Sequence, residues 1–207
     1  MTEKKLKTKE ILLNTAERLF AVKGFESTSI RDIVSDAGLS VALINYHFGS
    51  KKELIKAVID RIILPVDRER VKRMRALAES FEQDKHGLTD LMAAYVTPIF
   101  QLLQDEYSIK LLARVFFELP LPGPKDLPEE AKQLRMLMNM LVRKMLPERD
   151  AADLELKMYC IMSMINYVIS IAYIHSSEKQ VFGPKEYLKG RLIQYSVSVL
   201  KTENTGF

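Results

Sequence analysis

The residues best equipped for chemistry lie close together near the start of the chain. Within residues 28–51, hydroxyls, a carboxamide, a phenol, an imidazole and an ammonium group are supplied by Thr28, Ser29, Asn45, Tyr46, His47 and Lys51. A carboxamide can bond two atoms on the edge of an adenine, whereas hydroxyls, phenols and cations bind phosphate oxygens. The combination indicates contact with DNA, provided that the fold presents these groups on one surface.

Short helices separated by glycines must position these groups. A first helix is predicted from Thr8, its N-cap, to Lys23, and a second from residue 28 or 29 to Gly38. A tight connection then leads into a third helix over 41–47. Three short helices joined in this way have the form of a helix-turn-helix, here over about residues 29–48.

The third helix is too short to be stable alone, so packing through Ile44, Leu39 and Phe48 must hold it. Helical geometry then turns the opposite side outward, where the major groove of DNA accepts a helix. The outward residues are Ala42, Leu43, Asn45 and Tyr46, and the predicted phosphate contacts are Thr28, Ser29, Tyr46, His47 and Lys51. Spacing alone leaves an ordinary helical bundle open as the alternative.

Two runs of sequence carry a family resemblance. They are TSIRDIVSDAGLS at residues 28–40 and INYHFGSKKEL at residues 44–54. Both resemble the DNA-binding domain of the TetR/AcrR family of bacterial transcriptional regulators, over about residues 6–66. The resemblance implies that Thr28, Tyr46 and Lys51 contact the DNA backbone, and that the segment from Ser40 through Val41 to His47 faces the groove. Residues 41–43 and 45 depart from those common in the family, so no operator sequence can be transferred.

Composition and charge agree with a folded cytoplasmic protein. The 207 residues are 47% hydrophobic and 28% charged, which is typical of a globular protein. Cys160 is the single cysteine, so no intrachain disulfide can form, and no export signal follows the N-terminal lysines. Residues 1–66 hold 11 Lys and Arg against 8 Asp and Glu, so part of the net charge of +4 lies where DNA contact is predicted.

The rest of the chain is predicted to be helical as well. A capping box at residues 50–53 opens a fourth helix, which should end at Pro65. Periodicity predicts further helices over 67–83, 89–104 with a kink at Pro98, 107–119, 129–146, 150–174 and 184–200. The predicted fold is all-α, with a helix-turn-helix domain over 6–66 joined by a linking helix to a larger regulatory and dimerisation domain over 67–207.

Residues 158–177 contain no charged side chain and are about as long as a membrane-spanning helix. Ser163, Asn166 and Ser170 would lack hydrogen-bond partners in lipid. We therefore predict a helix buried on most sides, and no membrane partner.

The last two helices are predicted to pair with a second copy, because their apolar residues cover more than one face. The predicted homodimer interface consists of Ile161, Ile165, Val168, Ala172, Leu188, Leu192, Tyr195 and Val199.

Methionines and aromatic residues cluster in the larger domain, where they predict either a core or a pocket for a small apolar or amphipathic ligand. The predicted pocket residues are Tyr95, Phe100, Phe116, Met136, Met140 and Tyr167, with entry beside the Pro120–Pro128 loop. This set offers phenol hydroxyls as polar partners and no buried charge.

The resemblance implies a homodimeric regulator, in particular a repressor that a ligand releases from a palindromic DNA operator. A regulator without an effector is one alternative, and a helical enzyme or adaptor that uses the helix-turn-helix only for packing is another. We expect no catalytic site and no cofactor. We also expect no metal, because His86 and His175 lack partners at metal-ligand spacing.

Overall fold

The computed structural model describes residues 3–81, 86–102, 106–120, 125–174 and 183–202. Within these ranges it contains ten α-helices and no β-strand, so the all-α prediction is confirmed. The helices are α1 (Glu3–Lys23), α2 (Ile30–Ala37), α3 (Val41–Phe48), α4 (Lys51–Glu79), α5 (Leu88–Val96), α6 (Ile99–Leu102), α7 (Glu106–Glu118), α8 (Glu129–Met145), α9 (Ala151–Ile174) and α10 (Lys185–Lys201).

The chain divides into two compact units. The first comprises Met1–Leu64 and Asp105–Leu121, and the second comprises Pro65–Gln104 and Pro122–Phe207. The boundary at Leu64 lies close to the one expected from the sequence, but α7 belongs to the first unit, where it packs against α1. The sequence prediction placed this segment in the domain over 67–207. Long-range packing of this kind has no local sequence signal.

The helix-turn-helix elements form as the sequence predicts. Ser29 caps α2, and a capping box joins its side chain to Asp32. Gly38 ends α2 in the left-handed conformation, with φ of 64°, which glycine adopts without steric cost. α1 begins at Glu3 rather than at the predicted N-cap Thr8, because the residues before Thr8 are mostly lysine, leucine and glutamate, which favour helix.

Ser29→Ala should lower the free energy of unfolding by about 1 kcal/mol, because the first turn of α2 loses its side-chain acceptor. Urea unfolding of the DNA-free protein measures this loss. Ser35→Ala is the matched control, since Ser35 is an exposed residue inside the same helix. Equal stability of the two variants would show that the capping box does not stabilise α2.

The predicted end of the fourth helix at Pro65 is wrong. α4 is one helix of 29 residues with Pro65 inside it, so the separate helix predicted over 67–83 is its second half. Proline removes one backbone hydrogen bond, but Ile62 and Val66 are buried on either side of it, and their packing supports the helix through this point. At Pro98, where a kink was predicted, the helix is interrupted instead, and α5 and α6 are separate.

α9 is far less buried than predicted. Among the described residues, Ala151–Ile171 is the segment long and apolar enough to cross a membrane, and 33% of its most apolar stretch is buried within the chain. The prediction of a helix buried on most sides is therefore wrong for the single chain. Leu156, Cys160, Ser163 and Tyr167 all lie exposed at helical spacing along one side of α9.

Candidate nucleic-acid interface

α3 is held by one deeply buried side chain and exposes its opposite face. Ile44 has no exposed surface, whereas Tyr46 is 63% exposed. Ala42 and Asn45 are exposed as well, and Leu43 is half-buried. An eight-residue helix with this division can enter a major groove without losing the packing that holds it.

The turn before α2 corrects one predicted contact. Thr28 is fully buried, and its hydroxyl donates to the carbonyl oxygens of Gly24 at 2.8 Å and Leu19 at 3.3 Å. Its side chain therefore fixes the turn and cannot reach a phosphate, so the prediction of a DNA contact through the Thr28 hydroxyl is wrong.

Ser29 is exposed, but Asp32 already occupies both of its donors. The Ser29 hydroxyl donates to the Asp32 carboxylate at 2.6 Å, and the Ser29 amide does so at 2.8 Å. These bonds lower the pKa of Asp32. Ser29 can bind a phosphate only by giving up one of them, whereas helix geometry leaves the amides of Ile30 and Arg31 without an intrahelical acceptor.

Lys51 stands at the first position of α4, beside the same turn. Its ammonium group lies 3.4 Å from the carbonyl oxygen of Glu26, and the Ser50 hydroxyl accepts the Glu53 amide at 3.2 Å. A cation next to a helix N-terminus forms a site with positive potential. This placement fits the predicted phosphate contact.

Two lysines that the sequence prediction omitted lie beside α3. The Lys5 ammonium is 4.5 Å from the centre of the Tyr46 ring, and the Lys9 ammonium is 5.8 Å from that of Phe48. Burial, then Lys5 and Lys9, lower the pKa of His47, which favours the neutral imidazole with one N–H donor. The two lysines share a helix face because α1 starts before Thr8, and the incorrect N-cap concealed this.

α7 holds the end of α1 through a pair of charged side chains, Arg114 and Glu118. Arg114 donates through Nε to the carbonyl oxygen of Ala21 at 2.9 Å and through Nη2 to that of Val22 at 2.8 Å. It also pairs with Glu118, which accepts the Phe25 amide at 2.9 Å. We call Arg114 and Glu118 the α7 clamp.

The α7 clamp lies so close to Gly24 that a side chain at this position would collide with it. The φ of Gly24 is 94°, and a Cβ atom there would lie 2.6 Å from Arg114 Nη1. The turn that carries Thr28, and with it the start of α2, is therefore fixed from α7. Sequence reasoning missed this contact because about ninety residues separate its partners.

The helix-turn-helix region matches a known protein family. Residues 12–58 match the model of the bacterial regulatory proteins of the tetR family. This helix-turn-helix domain is a TetR-family domain. An HTH-type transcriptional repressor of Mycobacterium tuberculosis is 37% identical over 78 residues, covering 37% of this chain and 40% of the relative. TtgR, a transcriptional regulator of Pseudomonas putida, is 33% identical over 60 residues, 29% of each chain.

These alignments span less than half the length of either relative, whereas the structural likeness extends over the whole fold. The crystal structure of Mycobacterium smegmatis AmtR matches 98% of this chain and 88% of its own, with a TM-score of 0.62 and 20% identity. The TetR-family architecture, a helix-turn-helix followed by a larger helical domain, is thus shared.

The residues of the predicted ligand pocket do not come together as a set. Met136, Tyr167 and Met140 are 65%, 52% and 46% exposed, so they do not line an enclosed space in the single chain. Tyr95 and Phe100 are buried in the second unit, whereas Phe116 belongs to the first. Helical periodicity identified apolar positions but not the direction in which each one faces. Residues 121–124 of the predicted entrance lie outside the described residues.

Half of the predicted dimer residues belong to the core. Ile161, Ile165, Leu188 and Leu192 are at most 7% exposed within the single chain, so they pack inside the second unit and cannot form a surface. Tyr195 is exposed, and Val168 and Val199 are half-buried. The side chain of Ala172, like His175, lies outside the described part of the chain.

Proposed function

We propose that this TetR-family chain is a homodimeric transcriptional repressor of the bacterial cytoplasm, which binds a palindromic DNA operator and is released by a small ligand. The observation that carries the DNA-binding role is α3, which exposes Ala42, Asn45 and Tyr46 around the buried anchor Ile44. The repressor role is supported by the mycobacterial relative, which is an HTH-type transcriptional repressor. Binding to its own promoter DNA in a gel shift, with unrelated DNA as competitor, tests the proposal.

Contacts to base edges and contacts to phosphates should come from different residues. Asn45 is exposed on α3 and can read an adenine through its carboxamide, whereas Ala42 offers a methyl group to thymine. Lys51, Lys5 and Lys9 supply cations at the edges of this face, where phosphates carry no sequence code. Specificity should therefore depend on α3, and salt-dependent affinity on the lysines.

Lys51→Ala should weaken binding to operator and unrelated DNA by the same factor. It should also reduce the slope of log affinity against log salt concentration by about 0.9, because one phosphate contact is lost. Fluorescence anisotropy at several salt concentrations measures both effects. Lys72→Ala is the control, since Lys72 lies on α4 within the second unit with its side chain 81% exposed. If the slope changes no more than it does in the control, Lys51 does not contact a DNA phosphate.

Asn45→Ala should instead cost about 1–3 kcal/mol of binding free energy on the operator alone. The preference for one base pair should relax, because the carboxamide no longer pairs with a base edge. Anisotropy titrations against operators mutated at each position locate that base pair. An equal loss on operator and random DNA would mean that Asn45 does not specify sequence.

The exposed side of α9 supports the proposal that the chain forms a homodimer. We define the α9 face as Leu156, Tyr159, Cys160, Ser163 and Tyr167; Leu156 is 62% exposed and Tyr159 is 51% exposed. Three large side chains on one side of a helix, Leu156, Tyr159 and Tyr167, are costly to leave in water. A two-fold copy of the same face would cover them, and it would present two α3 helices to the two halves of a palindrome. This surface replaces the buried residues of the sequence prediction.

A further inference from the structure

A buried ion pair lies in the second unit, next to Tyr95 of the predicted pocket set, which itself offered no buried charge. Asp67 and Arg70 of α4 are 6% and 7% exposed, and Arg70 Nη1 donates to Asp67 Oδ1 at 3.1 Å. Arg70 Nε donates to the carbonyl oxygen of Tyr95 at 2.8 Å, and the guanidinium lies 4.1 Å from the centre of the Tyr95 ring. Tyr95 belongs to the predicted pocket set, so the pair joins that residue to α4.

One nitrogen of this guanidinium has no partner. Arg70 Nη2 is inaccessible to solvent, and among the described residues no acceptor lies within hydrogen-bond distance of it. Buried polar atoms are almost always hydrogen-bonded, and an unpaired donor on a charged group is particularly costly. The atom therefore requires an acceptor that the described part of the chain does not provide.

Charge balance decides what kind of acceptor fits. Asp67 already neutralises Arg70, so a carboxylate or phosphate would add a net negative charge in a buried place beside the Asp67 carboxylate. An uncharged oxygen, such as a ketone, ester or amide carbonyl, satisfies Nη2 without adding charge.

Flexible side chains stand one turn away on both helices. Met74 follows Arg70 by four positions on α4, Met92 precedes Tyr95 by three on α5, and both are fully buried. Unbranched thioether side chains repack readily around an inserted group. An apolar ligand beside the guanidinium would be accommodated by repacking of these two side chains.

We propose that Arg70 Nη2 is the polar anchor of an effector site in the second unit, which takes an uncharged, largely apolar molecule bearing a carbonyl oxygen. This inference rests on the proposed function, in which a small ligand controls DNA binding. It adds the chemical class of that ligand and the atom that recognises it.

Three probes of the same ring size test the anchor: cyclohexanone, methylcyclohexane and cyclohexanecarboxylate. The observable is the ¹⁵N NMR signal of Arg70 Nε in the full chain, assigned by its disappearance in Arg70→Lys. Cyclohexanone should shift this signal saturably, whereas the hydrocarbon and the carboxylate should not. No shift with any probe would mean that buried water satisfies Nη2, and a shift with the carboxylate alone would mean an anion site. Either result overturns the proposal.

Arg70→Lys also tests ligand binding. Its single ammonium nitrogen can pair with Asp67, but it has no second nitrogen in the position of Nη2 to bind a ligand. Its affinity for cyclohexanone should fall at least tenfold, as measured by shifts of backbone amide signals, while circular dichroism reports an unchanged fold. Unchanged affinity would reject the anchor. Operator binding without any probe is measured on the same samples. If the parent chain binds no operator, the proposed function fails, whereas intact operator binding with no ketone response rejects this site alone.

Discussion

Two glutamates placed on the α9 face, as Leu156→Glu with Cys160→Glu, should convert the dimer into a monomer. Binding to a palindromic operator should weaken by about 10²–10⁴-fold, because the second α3 then no longer binds at the effective concentration that the linked pair provides. Sedimentation velocity measures the association state, and fluorescence anisotropy with the operator measures the affinity.

The size of the effect follows from two-fold symmetry. Leu156 and Cys160 are exposed and one turn apart, so each copy would bring two carboxylates into the same interface. Four negative charges would lose water without gaining partners, which apolar packing cannot offset. In the separate chain the same carboxylates stay hydrated, so the fold should be kept.

Met136→Glu with Met140→Glu is the matched control. These residues are also one turn apart and exposed, but they lie on α8, outside the proposed interface. The control should stay dimeric and bind the operator as the parent does. If the α9 variant also remains a dimer with full operator affinity, the second copy does not cover the α9 face.

The helix-turn-helix was predictable because its signals are local. The capping box of Ser29 and Asp32, the left-handed Gly38 and the helical period of Ile44 are each decided within a few residues. The family comparison then confirmed the resemblance seen in residues 28–54. What one residue does inside this frame was less predictable: Thr28 looked like a surface hydroxyl, but it is buried against carbonyls of α1 and the following turn.

The larger unit was harder to predict because its helices are apolar on several sides. On α9, the side that contains Ile161 and the side that contains Leu156 are both apolar in sequence. Only tertiary packing determines that the Ile161 side is buried and the Leu156 side is exposed. The same ambiguity put the exposed Met136 into a pocket. Arg70 is one of five basic residues within 67–75, a density typical of an exposed helix face, and its burial cannot be recognised without Tyr95 from α5.

Arg114→Met should lower the free energy of unfolding by about 2–3 kcal/mol, because charged hydrogen bonds are lost from the α7 clamp. The Ala21 and Val22 carbonyls at the end of α1 lose their donor, and Glu118 loses its positive partner. Operator affinity should fall as well, since the clamp fixes the turn that precedes α2. Urea unfolding of the DNA-free protein measures the stability, and anisotropy at a temperature where the variant is folded measures the affinity.

Arg73→Met provides the control for this last effect. Arg73 pairs with Glu69 across one turn of α4 at 2.7 Å, but this contact is local and should contribute less than about 0.5 kcal/mol. Glu118→Gln keeps an acceptor for the Phe25 amide while removing the charge, so it should cost less than Arg114→Met. Combined with Arg114→Met, it should add little, because the two substitutions remove the same ion pair. If Arg114→Met changes stability and operator affinity no more than Arg73→Met does, then α7 does not position the DNA-binding helices.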